Sequence, residues 1–166
     1  MRLTIFGKST IIVNKKSDHD CVQFKNGQIV VNSCKESISS LLRNFLADLL
    51  YSQLFKIYDR VKKEDRFELF GNLDFEVVNG IDGKKQRVAK LKGNKILVSL
   101  KAVAMPKSAL KYMVVHELAH IHTKRHSTKF WKVVEIIYPG YNRGKQSLIR
   151  RKDFIQTPFI ANETKR

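Results

Sequence analysis

Three stretches of this chain predict an α+β fold with a small antiparallel sheet, a long N-terminal helix and a second helix carrying a paired-histidine motif. Alternating apolar strands meet at Asn26-Gly27, apolar residues recur at helical spacing from Ile38 to Val61, and His116-Glu117-Leu118-Ala119-His120 continues a helical run. At 166 residues, 43% of them hydrophobic, the chain is long enough for one domain with a sizeable core and short for two. That domain is expected over residues 1–155, with 156–166 as a flexible tail.

The N-terminal β region, residues 1–32, reads as strands at Thr10–Asn14, Cys21–Lys25 and Gln28–Asn32. Asn26-Gly27 joins the last two in a tight hairpin, since both residues tolerate positive φ. Gly7-Lys8-Ser9-Thr10 resembles the end of a phosphate-binding loop, but the upstream glycine such a loop requires is Arg2, which excludes that reading. Ser33-Cys34-Lys35-Glu36 has the capping-box pattern and opens a long helix over 33–64, whose aromatic residues fall on the apolar stripe and are expected in the core.

Residues 72–100 hold further strands: Leu73, Phe75 and Val77 alternate with acids, then Val88–Leu91 and Ile96–Leu100 flank Gly93-Asn94. The metal-motif helices follow over 106–138. Pro106 suits a first helical turn, Ser127 caps a second helix, and Pro139-Gly140 stops it. Phe130 and Trp131 are expected as core anchors, and Arg143–Lys152 as a basic helical tail.

On a helix, residues four apart stand on one face, so His116 and His120 can offer nitrogens to a single ion. Zn²⁺ with three protein ligands keeps a position open for water, and Glu117 is placed to take that water's proton. The layout is that of a metal-dependent hydrolase. At about 100° per residue an unbroken helix would carry His126 about 120° from His120, so the helix must end first. The third ligand is then His126, swinging back from a turn, with Glu135 on the next helix as its rival. His122 lies about 160° from His120 and is expected at the surface or behind the ligands.

The charge is uneven. Residues 1–83 hold 12 basic and 11 acidic side chains, and residues 84–166 hold 20 and 4, so nearly all of the net +17 belongs to the half with the motif. Such a balance fits either DNA or RNA as a partner or an ordinary solvated basic face, and the sequence leaves both open. Contacts would come from Lys84, Lys85, Lys90, Lys92 and Lys95 around the second hairpin and from Arg143, Lys145, Arg150, Arg151 and Lys152 near the C-terminus. No segment has the length of a membrane span or a signal-peptide core, and the two cysteines, Cys21 and Cys34, lack metal-site spacing. A cytoplasmic protein with reduced thiols and no membrane partner is expected.

Val114-Val115-His116-Glu117-Leu118-Ala119-His120, five residues, then His126-Ser127-Thr128-Lys129-Phe130-Trp131 resembles the YgjP-like metallopeptidase family, with SprT-like and WLM proteases as relatives. The likeness covers roughly Gly93 to Tyr141. Before the second hairpin strand the family's Arg-Trp-Gly-Ser-Cys-like segment is replaced by Arg87-Val88-Ala89-Lys90-Leu91-Lys92-Gly93. The resemblance implies a zincin-like fold, peptide-bond hydrolysis of protein or peptide substrates with a zinc-bound water activated by Glu117, and an edge strand that pairs with extended substrate. Two alternatives stand beside it: an SprT-like protease acting on DNA- or RNA-bound proteins, and a non-catalytic, zinc-stapled nucleic-acid-binding domain. Glu117 favours an enzyme, because a structural site has no use for it. Arg125, His122, Tyr138 and Tyr141 are the candidates for stabilising an oxyanion.

Overall fold

The computed structural model describes residues 1–68, 71–84 and 86–150, which form two small sheets and four α-helices, confirming the α+β class. β1 (Arg2–Ile5) and β2 (Lys8–Lys16) make a hairpin whose turn, Phe6-Gly7, has φ of 48° and 81°. β1 was not expected, because only Leu3 and Ile5 point inward and two residues are too few for an alternation to register. β3 (Cys21–Lys25) and β4 (Gln28–Ser33) meet at the expected Asn26-Gly27 turn, with φ of 51° and 74°.

The strand order β1-β2-β4-β3 sets β4 parallel to β2, so the expected antiparallel sheet is corrected to a mixed one. Ile29 and Val31 of β4 are fully buried. That apolar run takes the centre, whereas β3, with Gln23 and Lys25 exposed, suits an edge. To reach that edge the chain turns at residues 17–20, where the Asp20 carboxylate accepts backbone N–H groups of Cys34 (2.6 Å), Lys35 and Glu36. This capture holds the segment out of a helix. The long helix α1 (Ile38–Glu64) therefore starts at Ser37, whose side chain accepts from Ser40 N–H at 3.1 Å, and not at the Ser33 capping box.

Leu42, Leu46, Leu50, Leu54 and Val61 form the buried stripe of α1, which ends at Asp65 in the left-handed region. Its aromatics divide. Tyr58 is buried, but Tyr51 and Phe55 are 38% and 47% exposed and stack on each other, correcting the expectation that all are core. A four-residue leucine spacing rotates slowly around the helix, and Tyr51 and Phe55 sit one place beyond it.

β5 (Asp74–Val78), β6 (Ala89–Lys92) and β7 (Lys95–Ser99) form the second sheet in the order β5-β7-β6, with β5 parallel and β6 antiparallel to β7. β7 is central and buries Ile96 and Val98, leaving β6 as an edge. A 3-10 turn (Leu100–Ala104) then leads into α2 (Lys107–Ala119). The first hairpin clamps this entry: Phe6 N–H donates to Val103 O at 2.7 Å and Gly7 N–H to Ala104 O at 3.2 Å. α2 is buried on most sides, through Leu110, Met113, Val114, Val115 and Leu118. One core cluster reaches from Leu3 to Ile137. α3 (Thr128–Ile137) and α4 (Asn142–Arg150) complete the described residues, with α4 packed on α2. Among the described residues no helix is long and apolar enough to cross a membrane.

Candidate metal centre

α2 ends at Ala119, so His116 and Glu117 lie in its last turn and His120 caps it with helical backbone angles. Ile121, His122 and Thr123 N–H groups bond back to Leu118 and Ala119 carbonyls, closing the helix in a tight turn. The chain then reverses. Ser127 N-caps α3, accepting from Phe130 N–H at 3.4 Å, and this places His126 over the end of α2. His126 Nε2 lies 3.0 Å from His116 Nε2. One nitrogen from each of His116, His120 and His126 falls within 4.8 Å of the others, and Glu135 is exposed on α3 outside this group.

The group fits a small tetrahedral cation. Bonds of about 2.0–2.1 Å place ligand nitrogens about 3.3–3.4 Å apart, close to the 3.0 Å between His116 and His126 and within the 4.8 Å that contains all three. Two of the three other ring nitrogens have partners. His120 Nδ1 is 3.1 Å from Thr123 O, and His116 Nδ1 is 3.4 Å from the Tyr112 hydroxyl. The Thr123 carbonyl can only accept, so His120 carries its proton on Nδ1 and leaves the Nε2 lone pair free for a metal; His116 does the same when its Nδ1 donates to the Tyr112 hydroxyl. Burial, with the His120, His126 and Lys145 charges, pulls the His116 pKa down to about 4. His126 is lowered by partial burial, then by His120 and Lys145. Both therefore stay neutral near pH 7, the form that binds metal.

Phe130, fully buried, is the floor of the site: its ring centre lies 4.9, 4.7 and 4.8 Å from those of His116, His120 and His126. Trp131 stacks on His126, Tyr141 on Trp131, and Tyr112 on Tyr141. Expected only as core anchors, Phe130 and Trp131 thus support the imidazoles directly. Tyr112, one turn before His116 on the same helix face, was overlooked although its i, i+4 spacing carries the signal.

Glu117 points across an open cleft of about 510 Å³ to the edge strand, where its Oε2 accepts Leu91 N–H at 2.8 Å. Burial raises its pKa, opposed by that N–H and by the His120 and Arg87 charges. None of the four oxyanion candidates lines this cleft. His122, expected at the surface or behind the ligands, is half-buried edge-on to Phe67. Tyr138 lies under Lys111, Tyr141 is in the aromatic stack, and Arg125 is exposed.

The expected nucleic-acid contacts divide between two elements packed on α2. Lys90, Lys92 and Lys95 are on the β6–β7 hairpin, preceded by exposed Lys84, while Arg143, Lys145 and Arg150 are on α4. Lys90 pairs with Asp82, Lys95 with Glu76, and Lys145 lies over the Trp131 ring at 4.4 Å. Lys85, Arg151 and Lys152 lie outside the described residues, as does the expected tail.

Residues 2–151 match the family model described as the YgjP-like metallopeptidase domain. Among solved structures the chain is similar to the crystal structure of the metallopeptidase zymogen of Pyrococcus abyssi abylysin. The identity is 22% over 63% of this chain and 93% of that one, with a TM-score of 0.46. No curated protein sequence matches the chain.

Proposed function

The chain belongs to the YgjP-like metallopeptidase family, and from this premise we propose a zinc-dependent peptidase in which His116, His120 and His126 hold the ion and Glu117 is the general base. The observation that carries the reading is the convergence of three imidazole nitrogens beside a half-buried carboxylate that is not one of the group. Zinc held there supplies Lewis-acid polarisation of the scissile carbonyl and makes a nearby water more acidic.

Glu117 removes the water's proton and delivers it to the leaving amine. Its burial favours the protonated form more than an exposed site would, which suits a group that must accept and then return a proton. Leu91 N–H orients the carboxylate across the cleft. Ser99 N–H donates to Val88 O at 2.8 Å, so residues 88, 90 and 92 face β7 while Ala89 and Leu91 turn their backbone groups outward. An extended substrate laid along β6 pairs with the Ala89 N–H and C=O and with the Leu91 C=O, the Leu91 N–H being taken by Glu117. Phe130 keeps water from the back of the imidazoles.

Glu117→Gln tests the reading: metal content and melting temperature stay, while hydrolysis of unfolded protein falls by about 10²- to 10⁴-fold. Retained hydrolysis removes Glu117 from the mechanism. A second reading, in which the substrates are proteins bound to DNA or RNA, is favoured by the exposure of Lys84, Lys92, Arg143 and Arg150 on both sides of α2. It requires oligonucleotide binding that weakens linearly in log affinity with log salt, measured by fluorescence anisotropy.

A further inference from the structure

We propose that the cleft selects acidic peptides, with Asp or Glu flanking the scissile bond, through a cationic rim formed by Arg87, Lys90 and Lys124. The inference rests on the peptidase reading above. All three side chains line the cleft beside the histidines. Among the described residues the carboxylate paired with them is Asp82, 2.6 Å from Arg87 and 2.7 Å from Lys90. A single carboxylate shared by two cations leaves one positive charge uncompensated, and Lys124, exposed on the turn after His120, has no ion pair among the described residues. Three cations against one acid make the rim doubly positive before any metal is added.

The other carboxylate in the cleft, Glu117, is held by Leu91 N–H and is committed to proton transfer in the proposed chemistry. On the α4 side, Lys145 lies over the Trp131 ring at 4.4 Å, and that ring stacks on His126. A bound peptide therefore meets positive charge from the β6 side and from the ligand turn, and among the described residues lining the cleft no acid is free to receive a lysine or arginine. Among the described residues no Phe, Tyr or Trp lines the cleft, so they offer a nucleobase no stacking platform. The outward backbone groups of Ala89 and the Leu91 carbonyl match an extended peptide and have no counterpart in a phosphodiester chain.

The test uses the zinc-loaded full chain and three internally quenched peptides with one central sequence and Glu, Gln or Lys flanks. Expected kcat/KM is highest with Glu flanks, about four- to twenty-five-fold above Gln, from two charges each contributing about two- to fivefold as exposed ion pairs do. The preference shrinks in 0.5 M salt, and Lys124→Glu narrows it by about two- to fivefold. Equal rates on all three peptides overturn the inference and leave the peptidase reading intact. Cleavage of none overturns the peptidase reading. The rim is then judged by anisotropy of the same peptides on zinc-loaded Glu117→Gln protein, where tighter binding of the Glu peptide, weakened by Lys124→Glu, supports it and equal binding overturns it. If single-stranded oligonucleotide of the same charge outcompetes the Glu peptide and loses affinity with Lys124→Glu, the rim is a nucleic-acid surface and the inference is wrong.

Discussion

Gly144→Ala places one methyl group where the fold has no room for it. Gly144 is the buried residue of α4, and a Cβ there would lie 2.5 Å from the Ser108 carbonyl oxygen and 2.7 Å from Tyr112 Cβ. Ordinary contact begins near 3.4 Å, so the first neighbour is about 0.9 Å too close, and neither atom can move by rotating a side chain. Overpacking of this kind costs about 1–3 kcal/mol, and two rigid neighbours put this site in the upper part of that range. Against it, alanine in a helix interior is worth about 1 kcal/mol over glycine. The clash wins, and the net loss is about 1–2 kcal/mol. For a chain of this size that lowers the melting temperature by about 2–8 °C, read by circular dichroism on the zinc-free and zinc-loaded protein. Zinc affinity should fall too, because a displaced α4 disturbs Tyr141, which stacks between Tyr112 and Trp131. Gly80→Ala is the control: a Cβ there meets nothing within 4 Å, and stability should change by less than about 0.5 kcal/mol. A Gly144→Ala protein that melts at or above the wild-type temperature would mean that helix propensity decides and that α4 does not approach α2 this closely.

Other consequences are equally direct. His116→Ala and His120→Ala should abolish stoichiometric zinc and His126→Ala should weaken it, whereas Glu135→Ala should not; elemental analysis showing the reverse for the last two would make Glu135 the third ligand. Tyr112→Phe removes the hydroxyl partner of His116 Nδ1 and should weaken zinc about 10- to 100-fold in a chelator competition without lowering stability by a comparable factor. His116 titrates near 6.5 when unfolded and at about 4 in the fold, so the unfolded chain binds more protons between those values. The zinc-free protein should keep this contribution above pH 6.5 and lose it progressively as pH falls toward 4. Urea denaturation at pH 7.5, 5.5 and 4.5 checks the sign, and a midpoint that rises on acidification contradicts it.

The sequence by itself determined what depends on local geometry. His116 and His120 share a face because four residues make about one helical turn, Asn26-Gly27 makes a hairpin because both residues accept positive φ, and the leucines from Leu42 to Leu54 mark the buried side of α1. In each case neighbours in sequence are neighbours in space. Tertiary structure decided what depends on distant segments meeting. β4 lies between β2 and β3 because its apolar run needs cover on both flanks, a condition visible only when the strands compete for the centre. Asp20 delays the start of α1 from fourteen to sixteen residues away. His126 prevails over Glu135 at the histidine group because the turn at Thr123 and the cap at Ser127 aim it there, while the packing of Phe130, Val133, Val134 and Ile137 keeps Glu135 on the solvent side of α3. Glu117 finds Leu91 N–H, and Arg87, Lys90 and Lys124 gather round one cleft, from separate elements. Charge acts through space, so a basic half of the chain can be counted along the sequence, but a basic rim exists only after folding.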